Sequence, residues 1–220
     1  MAAPLIDKIK TIIELSKDPA LLRVLLSLKH SHYLVDVGWI NSFKSKSPVD
    51  KNNNPIPWLT YPFIDFLSPR LKNEMIIFEF GSGNSTLFYA EKVSRVFTVE
   101  HNLGWYEKLK KIIPDSVQLH HKDLIQNGEY SHFAADSRIK FDIIIVDGED
   151  RNNCIINSLS ALKEDGVMIL DDSERIEYKG AVDFLRLQPF KQIDFWGIGA
   201  TVFLKKCTSV FYRKENCLGI

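Results

Sequence analysis

Apolar residues recur along this chain with two different periods, and the change between them divides it. Over residues 4–30 the spacing is helical. Ile6, Ile9, Ile12, Ile13 and Leu15 share one face, and Leu21, Leu22, Leu25, Leu26 and Leu28 share another. Asp18-Pro19 separates them, with Pro19 suited to a first helical turn. A helical hairpin is predicted, packed on the rest of the chain, closing it as a lid, or pairing two copies as a homodimer. Its polar face is not strongly basic, which disfavours a helix lying in a membrane surface. Residues 38–62 lose the pattern: four prolines and Asn52-Asn53-Asn54 predict a loop. Trp39, Phe43, Trp58 and Tyr61 punctuate it, and a loop with aromatic anchors packs over something. Residues 63–71 return to a short amphipathic helix.

From Met75 the period becomes that of strands and helices in alternation. Met75–Phe80, Arg95–Glu100, Ser116–His120, Phe141–Asp147 and Gly166–Leu170 read as strands, followed by Phe190–Trp196 and Thr201–Lys205. Helices are predicted from Leu87, over Trp105–Ile113 up to Pro114, over Asn152–Leu162 and over Ile176–Leu187, whereas 125–139 reads as polar and irregular. Strands separated by helices predict a doubly wound α/β fold with a mostly parallel, seven-stranded sheet. Only Gly197-Ile198-Gly199-Ala200 lies between the last two strands, so an antiparallel hairpin closes the C-terminal edge. The expected division is an N-terminal helical and aromatic-loop cap over 1–74 and a Rossmann-like domain over 75–220.

Composition narrows the partners. The 220 residues are 45% hydrophobic, enough for one substantial core, and 28 basic residues balance 28 acidic ones. That balance argues against a nucleic-acid partner. Cys154, Cys207 and Cys217 lack metal spacing, and an odd count suits free thiols in a reducing compartment. No run of 18 apolar residues suggests a membrane span. The first residues lack the basic start and apolar stretch of a signal peptide, so a cytoplasmic location is expected.

The chemistry centres on Glu79-Phe80-Gly81-Ser82-Gly83, where a buried strand meets a tight turn and a helix capped by Asn84, Ser85 or Thr86. Gly81 and Gly83 let the backbone turn and a ligand approach. A dinucleotide fingerprint requires a third glycine where Thr86 stands, and no Gly-Lys-Ser/Thr follows for a P-loop. Glu79 is an acid inside an apolar strand, which is costly unless paired or bound to a ligand. Glu100 lies 19 residues after Gly81 at the tip of the second strand, placed to accept ribose hydroxyls. Asp123 lies 23 residues further, just past the third strand, near an adenine amino group.

In this ordered set, residues 75–206 resemble the class I S-adenosylmethionine-dependent methyltransferases. The likeness rests on the glycine turn, Val99-Glu100, Asp123, Phe141 to Gly148 and the closing hairpin. It implies that Glu79, Gly81, Ser82, Gly83 and Ser85 hold the methionine end of S-adenosylmethionine. It also implies that Glu100 binds ribose and Asp123 orients adenine. His101 and Asn102 stand near the ribose by adjacency to Glu100, and Asp147-Gly148 reads as a turn whose carboxylate faces the sulfonium.

Two acidic clusters follow at successive strand tips, Asp147-Gly148-Glu149-Asp150-Arg151 and Asp171-Asp172-Ser173-Glu174-Arg175. Both tips of an open α/β sheet face the crevice of the glycine turn. Asp147, Asp171 and Asp172 are therefore candidate ligands of a magnesium-like ion. They are similar to the catechol O-methyltransferase branch, with Asp172 in place of its asparagine and Asp150-Arg151 where its lysine base stands. Arginine is a poor base at neutral pH. Aspartates at strand-to-helix turns also serve as ordinary helix caps, a role open here to Asp150 or Ser173. Asp147, His101, His120 and His121 are the candidate bases. Asp147 and Arg151 are the expected catalytic pair, and Arg151 and Arg175 could grip an anionic acceptor. The expected activity is methyl transfer to a small-molecule or glycan hydroxyl. The alternatives are a non-catalytic S-adenosylmethionine-binding or interaction module and, less favoured by Thr86, a nicotinamide-dependent oxidoreductase.

Overall fold

Seven runs rich in β-branched and aromatic residues pair into one sheet in the computed structural model, which describes residues 5–27 and 32–220. The elements in chain order are α1 (Leu5–Ser16), α2 (Pro19–Ser27), α3 (Tyr33–Asp36), α4 (Trp39–Ser45), α5 (Tyr61–Leu67), β1 (Ile76–Phe80), α6 (Asn84–Ala90), β2 (Arg95–Glu100), α7 (Leu103–Leu109), β3 (Val117–His121), α8 (Glu129–Asp136), β4 (Phe141–Val146), α9 (Arg151–Ser158), β5 (Leu162–Asp171), α10 (Lys179–Arg186), β6 (Lys191–Gly197) and β7 (Lys206–Tyr212). The sheet order is β3-β2-β1-β4-β5-β7-β6. β1 to β5 pair in parallel, and β7 runs antiparallel to both β5 and β6. The doubly wound sheet and its closing hairpin are those the sequence predicts, with β6 at the edge.

Alternation along the central strands splits the core across the sheet. Ile77, Ile143, Ile145, Ile169 and Val210 face α5 and α6, meeting Phe63, Leu67 and Tyr89. Phe78, Phe80, Ile144, Leu170 and Phe211 face α8, α9 and α10, meeting Tyr130, Ile155 and Val182. The segment before β1 belongs to the first of these clusters: Leu59, Tyr61, Phe63 and Leu67 are buried in it.

Four local expectations change. The last strand is Lys206–Tyr212 instead of Thr201–Lys205. Its Cys207-Thr208-Ser209 core is polar enough to interrupt an apolar pattern, yet Thr208 Oγ1 donates to Asp171 at 2.6 Å and Ser209 Oγ to Asp194 at 2.6 Å. The irregular 125–139 stretch contains α8, which buries only Tyr130, Ser131 and Ala134 and so shows a thin apolar stripe. The 38–62 loop contains α4, whose Trp39 stacks on Phe43 at 5.5 Å. The N-terminal hairpin forms, with Asp18 Oδ1 accepting from the Leu21 N–H at 3.0 Å, but Ile6, Ile9, Ile12, Leu21, Leu25 and Leu26 remain exposed. Leu28 lies outside the described residues.

Leu59 tests whether the pre-sheet segment is structural. It is fully buried, so Leu59→Ala is expected to cost about 2–5 kcal/mol of unfolding free energy. Urea denaturation measures this, and a cost below about 1 kcal/mol would place the segment outside the cooperative core.

Candidate functional site

Parallel strands deliver their carboxyl ends to one edge, and the turns after β1, β2, β4 and β5 line two adjoining cavities there. The first, of about 330 Å³, is built on the glycine turn. Gly81 adopts φ +87°, a conformation that favours glycine, and its N–H donates to Val99 O at 2.9 Å. A Cβ there would sit 3.1 Å from Gly148 Cα. Gly148 is tighter still: a Cβ would lie 2.1 Å from the Tyr130 hydroxyl and 2.9 Å from Gly81 N. The two turns therefore touch backbone to backbone. Gly83 differs, since nothing lies within 4 Å of where its Cβ would point, and that open side lines the cavity.

Two buried carboxylates flank this turn. Glu79 accepts from Thr86 Oγ1 at 2.6 Å, and Thr86 in turn accepts from the Gly83 N–H at 3.0 Å. The residue in the third glycine's place thus locks the turn to the acid. Burial pushes the Glu79 pKa up to about 7, against hydrogen bonds from Ser85 and Thr86 that hold it down; the Glu100 charge adds to the rise. Glu100 is also buried, accepting from Ser82 Oγ at 2.8 Å and the Asn102 N–H at 2.8 Å. His101 Nδ1 lies 3.4 Å from Glu100 Oε1. Trp105 closes one side through a 2.7 Å bond from its Nε1 to Ser82 O. Lys46, Ser47 and Pro48 form the opposite wall, tied down by Asn84 Nδ2 donating to Pro48 O at 2.6 Å.

The second cavity, of about 430 Å³, shares Trp58, Asp147 and Arg151 with the first. Asp171, Asp172, Glu174, Arg175, Lys205 and Lys206 complete its polar lining. Because β7 is reversed, it brings its first residues to this edge. Lys206 Nζ lies 2.5 Å from Asp171 Oδ2 and 2.8 Å from Asp172 Oδ1. Arg175 holds Asp172 from the other side at 2.7 Å. Arg151 reaches back under the turn, donating to Gly148 O at 2.8 Å, Asp171 O at 2.6 Å and Asp147 Oδ1 at 3.3 Å. Burial opposes the charges of Arg151 and Lys206, but the surrounding carboxylates outweigh it and raise both pKa values. Burial, then the neighbouring Asp171, pushes Asp147 well above the usual carboxylate range, with Arg151 and Lys206 opposing.

Glu79, Gly81, Ser82, Gly83, Ser85, Glu100, His101 and Asp147 thus line one cavity. Asp123 does not join them; its side chain is 86% exposed. His121 binds His101 O at 3.0 Å and His120 packs on Phe133, both outside the two linings. Asp147, Asp171 and Asp172 converge as expected, but Lys206 and Arg151 occupy their oxygens. Among the described residues no group of three or more His, Cys, Asp or Glu side chains is arranged to hold a metal ion. This donor set therefore does not fit the divalent cation expected from sequence. The sequence pattern leaves out Lys206 and Thr208 because it places the strand carrying them too early, at Thr201–Lys205 instead of Lys206–Tyr212; a lysine opening a strand beside an acidic tip is the available signal.

No protein-family model matches the chain, and no curated protein matches it. Solved structures match in fold. A Staphylococcus aureus protein assigned as a caffeoyl-CoA O-methyltransferase superposes with a TM-score of 0.54 at 14% identity, over 87% of this chain and 97% of its own. Precorrin-6y C5,15-methyltransferase from Geobacter metallireducens gives 0.53 at 16% identity, over 70% and 87%. An rRNA methylase from Streptococcus thermophilus gives 0.51 at 17% identity, over 69% and 96%. The seven-stranded sheet with its reversed β7 is the methyltransferase fold these proteins share.

Two variants test the site's electrostatics. The folded pKa of Glu79 lies above its ordinary value of 4.5, so the folded state holds a proton that the unfolded chain has lost between 4.5 and about 7. Stability is therefore expected to fall across that window in the ligand-free protein, by up to about 3 kcal/mol at about 1.4 kcal/mol per pH unit. Glu79→Gln should flatten this slope in denaturation curves; an unchanged slope would show that Glu79 is not its source. Lys206→Met leaves two buried carboxylates short of their cation and is expected to cost about 3–5 kcal/mol, read by thermal unfolding.

Proposed function

We propose that this chain is an S-adenosylmethionine-dependent methyltransferase that acts on the hydroxyl of a small molecule or glycan. The observation that carries the reading is the glycine turn with an open face at Gly83, flanked by buried Glu79 and Glu100, leading into a second polar cavity through shared Asp147, Arg151 and Trp58. The cavity fits such a cofactor because a Cβ at Gly83 would fill space that protein atoms leave clear, and because the acids beside it suit cationic and hydroxyl-bearing groups.

S-adenosylmethionine supplies a methyl group on a positively charged sulfur. In this reading Glu79 and the backbone of the turn hold its amino-acid end, and Glu100, fixed by Ser82 and the Asn102 N–H, accepts from its ribose. Trp58 and the 46–48 segment, part of the proposed N-terminal cap, exclude water from the junction. The acceptor enters the Asp171 cavity, and Asp147 accepts its hydroxyl proton at the carboxylate. Arg151 positions Asp147 through the 3.3 Å contact and limits the rise in its pKa. Lys206 takes the charge-balancing place that a divalent ion would otherwise hold.

Calorimetry tests the cofactor. S-adenosylhomocysteine is expected to bind and NAD is not, and Glu100→Gln should weaken binding by about 10- to 100-fold, corresponding to one lost hydrogen bond to a charged group. Failure of S-adenosylhomocysteine to bind would remove the assignment. Labelled-cofactor turnover with sugars, phenols and small acids separates an enzyme from a binding module. A chelator should leave that turnover unchanged; a chelator-sensitive rate would contradict the role given to Lys206.

A further inference from the structure

Beside the cavities lies an aromatic surface that is only partly covered by the rest of the fold. Trp39 and Phe43 on α4 and Phe203 in the β6–β7 connection form a triangle of rings, with centroids 5.5, 5.0 and 5.3 Å apart. Trp39 Nε1 donates to Val202 O at 3.1 Å and fixes the connection against the helix. Yet Phe43 is 49% exposed, Phe203 68% and the adjoining Leu204 77%. A cluster of large apolar side chains held in water marks a contact surface.

Its surroundings are rich in lysine, although the chain as a whole is neutral. Residues 39–51 contain Lys44, Lys46 and Lys51 against Asp50, and residues 198–205 add Lys205 without an acid. Asp50 is engaged by the Asn52 and Asn54 N–H groups at 2.7 and 2.8 Å. None of the four lysines makes an ion pair among the described residues. Lys46 lines the first cavity, and Leu204 and Lys205 line the second, so this rim borders both openings.

We propose that this aromatic, lysine-bearing rim docks on an anionic lipid surface and presents the second cavity to acceptors held there. Aromatic rings favour the level of lipid headgroups, and lysines near an anionic leaflet add attraction. A second copy fits less well. A two-fold contact of the rim with itself sets lysines against lysines. The α1–α2 hairpin intersperses three acids, Asp7, Glu14 and Asp18, among four bases, Lys8, Lys10, Lys17 and Arg23, so its exposed apolar face carries a weaker basic excess than the rim.

Co-sedimentation of the full chain with phosphatidylcholine vesicles, with and without phosphatidylglycerol, tests this without reference to catalysis. Binding is expected only with phosphatidylglycerol and should fall as salt is raised. The double variants Phe43→Ser/Phe203→Ser and Lys44→Glu/Lys51→Glu should each lower vesicle affinity by about tenfold or more. S-adenosylhomocysteine affinity and melting temperature report that each variant remains folded. Absence of binding to phosphatidylglycerol vesicles at low salt overturns the proposal, as does undiminished binding by both folded double variants. A dimer in light scattering that Phe43→Ser/Phe203→Ser converts to monomer would also overturn it, by assigning the surface to a second copy.

Discussion

Two adjacent carboxylates at the end of β5 cannot remain charged and buried without partners, and the sheet is arranged to supply them. Asp171 and Asp172 are 1% and 5% exposed. Their cations come from three places: Lys206 from the reversed strand, Arg151 from the start of α9, and Arg175 from the turn beyond β5. A parallel strand beside β5 would have carried its first residues to the opposite edge. The reversal of β7 thus has a chemical consequence as well as a topological one, because it brings an ammonium group and the Thr208 hydroxyl to the acids. Arg151 in turn braces the Gly148 turn, which touches the Gly81 turn, so the acid cluster and the glycine cradle are mechanically continuous.

This continuity explains how the two cavities share walls. Asp147, Arg151 and Trp58 belong to both, and none could shift without altering the other side. Trp58 comes from the segment before β1, whose neighbours Leu59 and Tyr61 are rooted in the main core. The roof over the junction is therefore anchored by buried apolar area, while its rim at Phe43 and Phe203 faces water.

Legibility in the sequence followed burial. The runs around Ile77, Val99 and Ile144 have both faces covered and read clearly as strands, and Glu79, Gly81, Gly83 and Glu100 could be placed from strand tips alone. α8 was hidden because only a narrow stripe of it is buried. β7 is displaced in the sequence pattern because its interior uses threonine and serine, satisfied by Asp171 and Asp194 on neighbouring strands. Those bonds span 37 and 15 residues of sequence, beyond what a local pattern encodes. Asp123 stands at the expected offset past β3, but its side chain turns to solvent, and spacing along a chain does not specify direction. Asp147, Asp171 and Asp172 line one cavity. The meaning of this trio changes because the partners that fill it arrive from distant segments.

The raised pKa of Glu79 has a thermodynamic corollary. Near neutrality this acid is only partly ionised, so the charge at Glu79 is not fixed. A cationic ligand arriving beside it stabilises the carboxylate and drives a proton into the buffer. Ligand uptake and proton release become linked quantities, and the heat of association measured for this cavity includes the ionisation heat of whatever buffer takes up that proton.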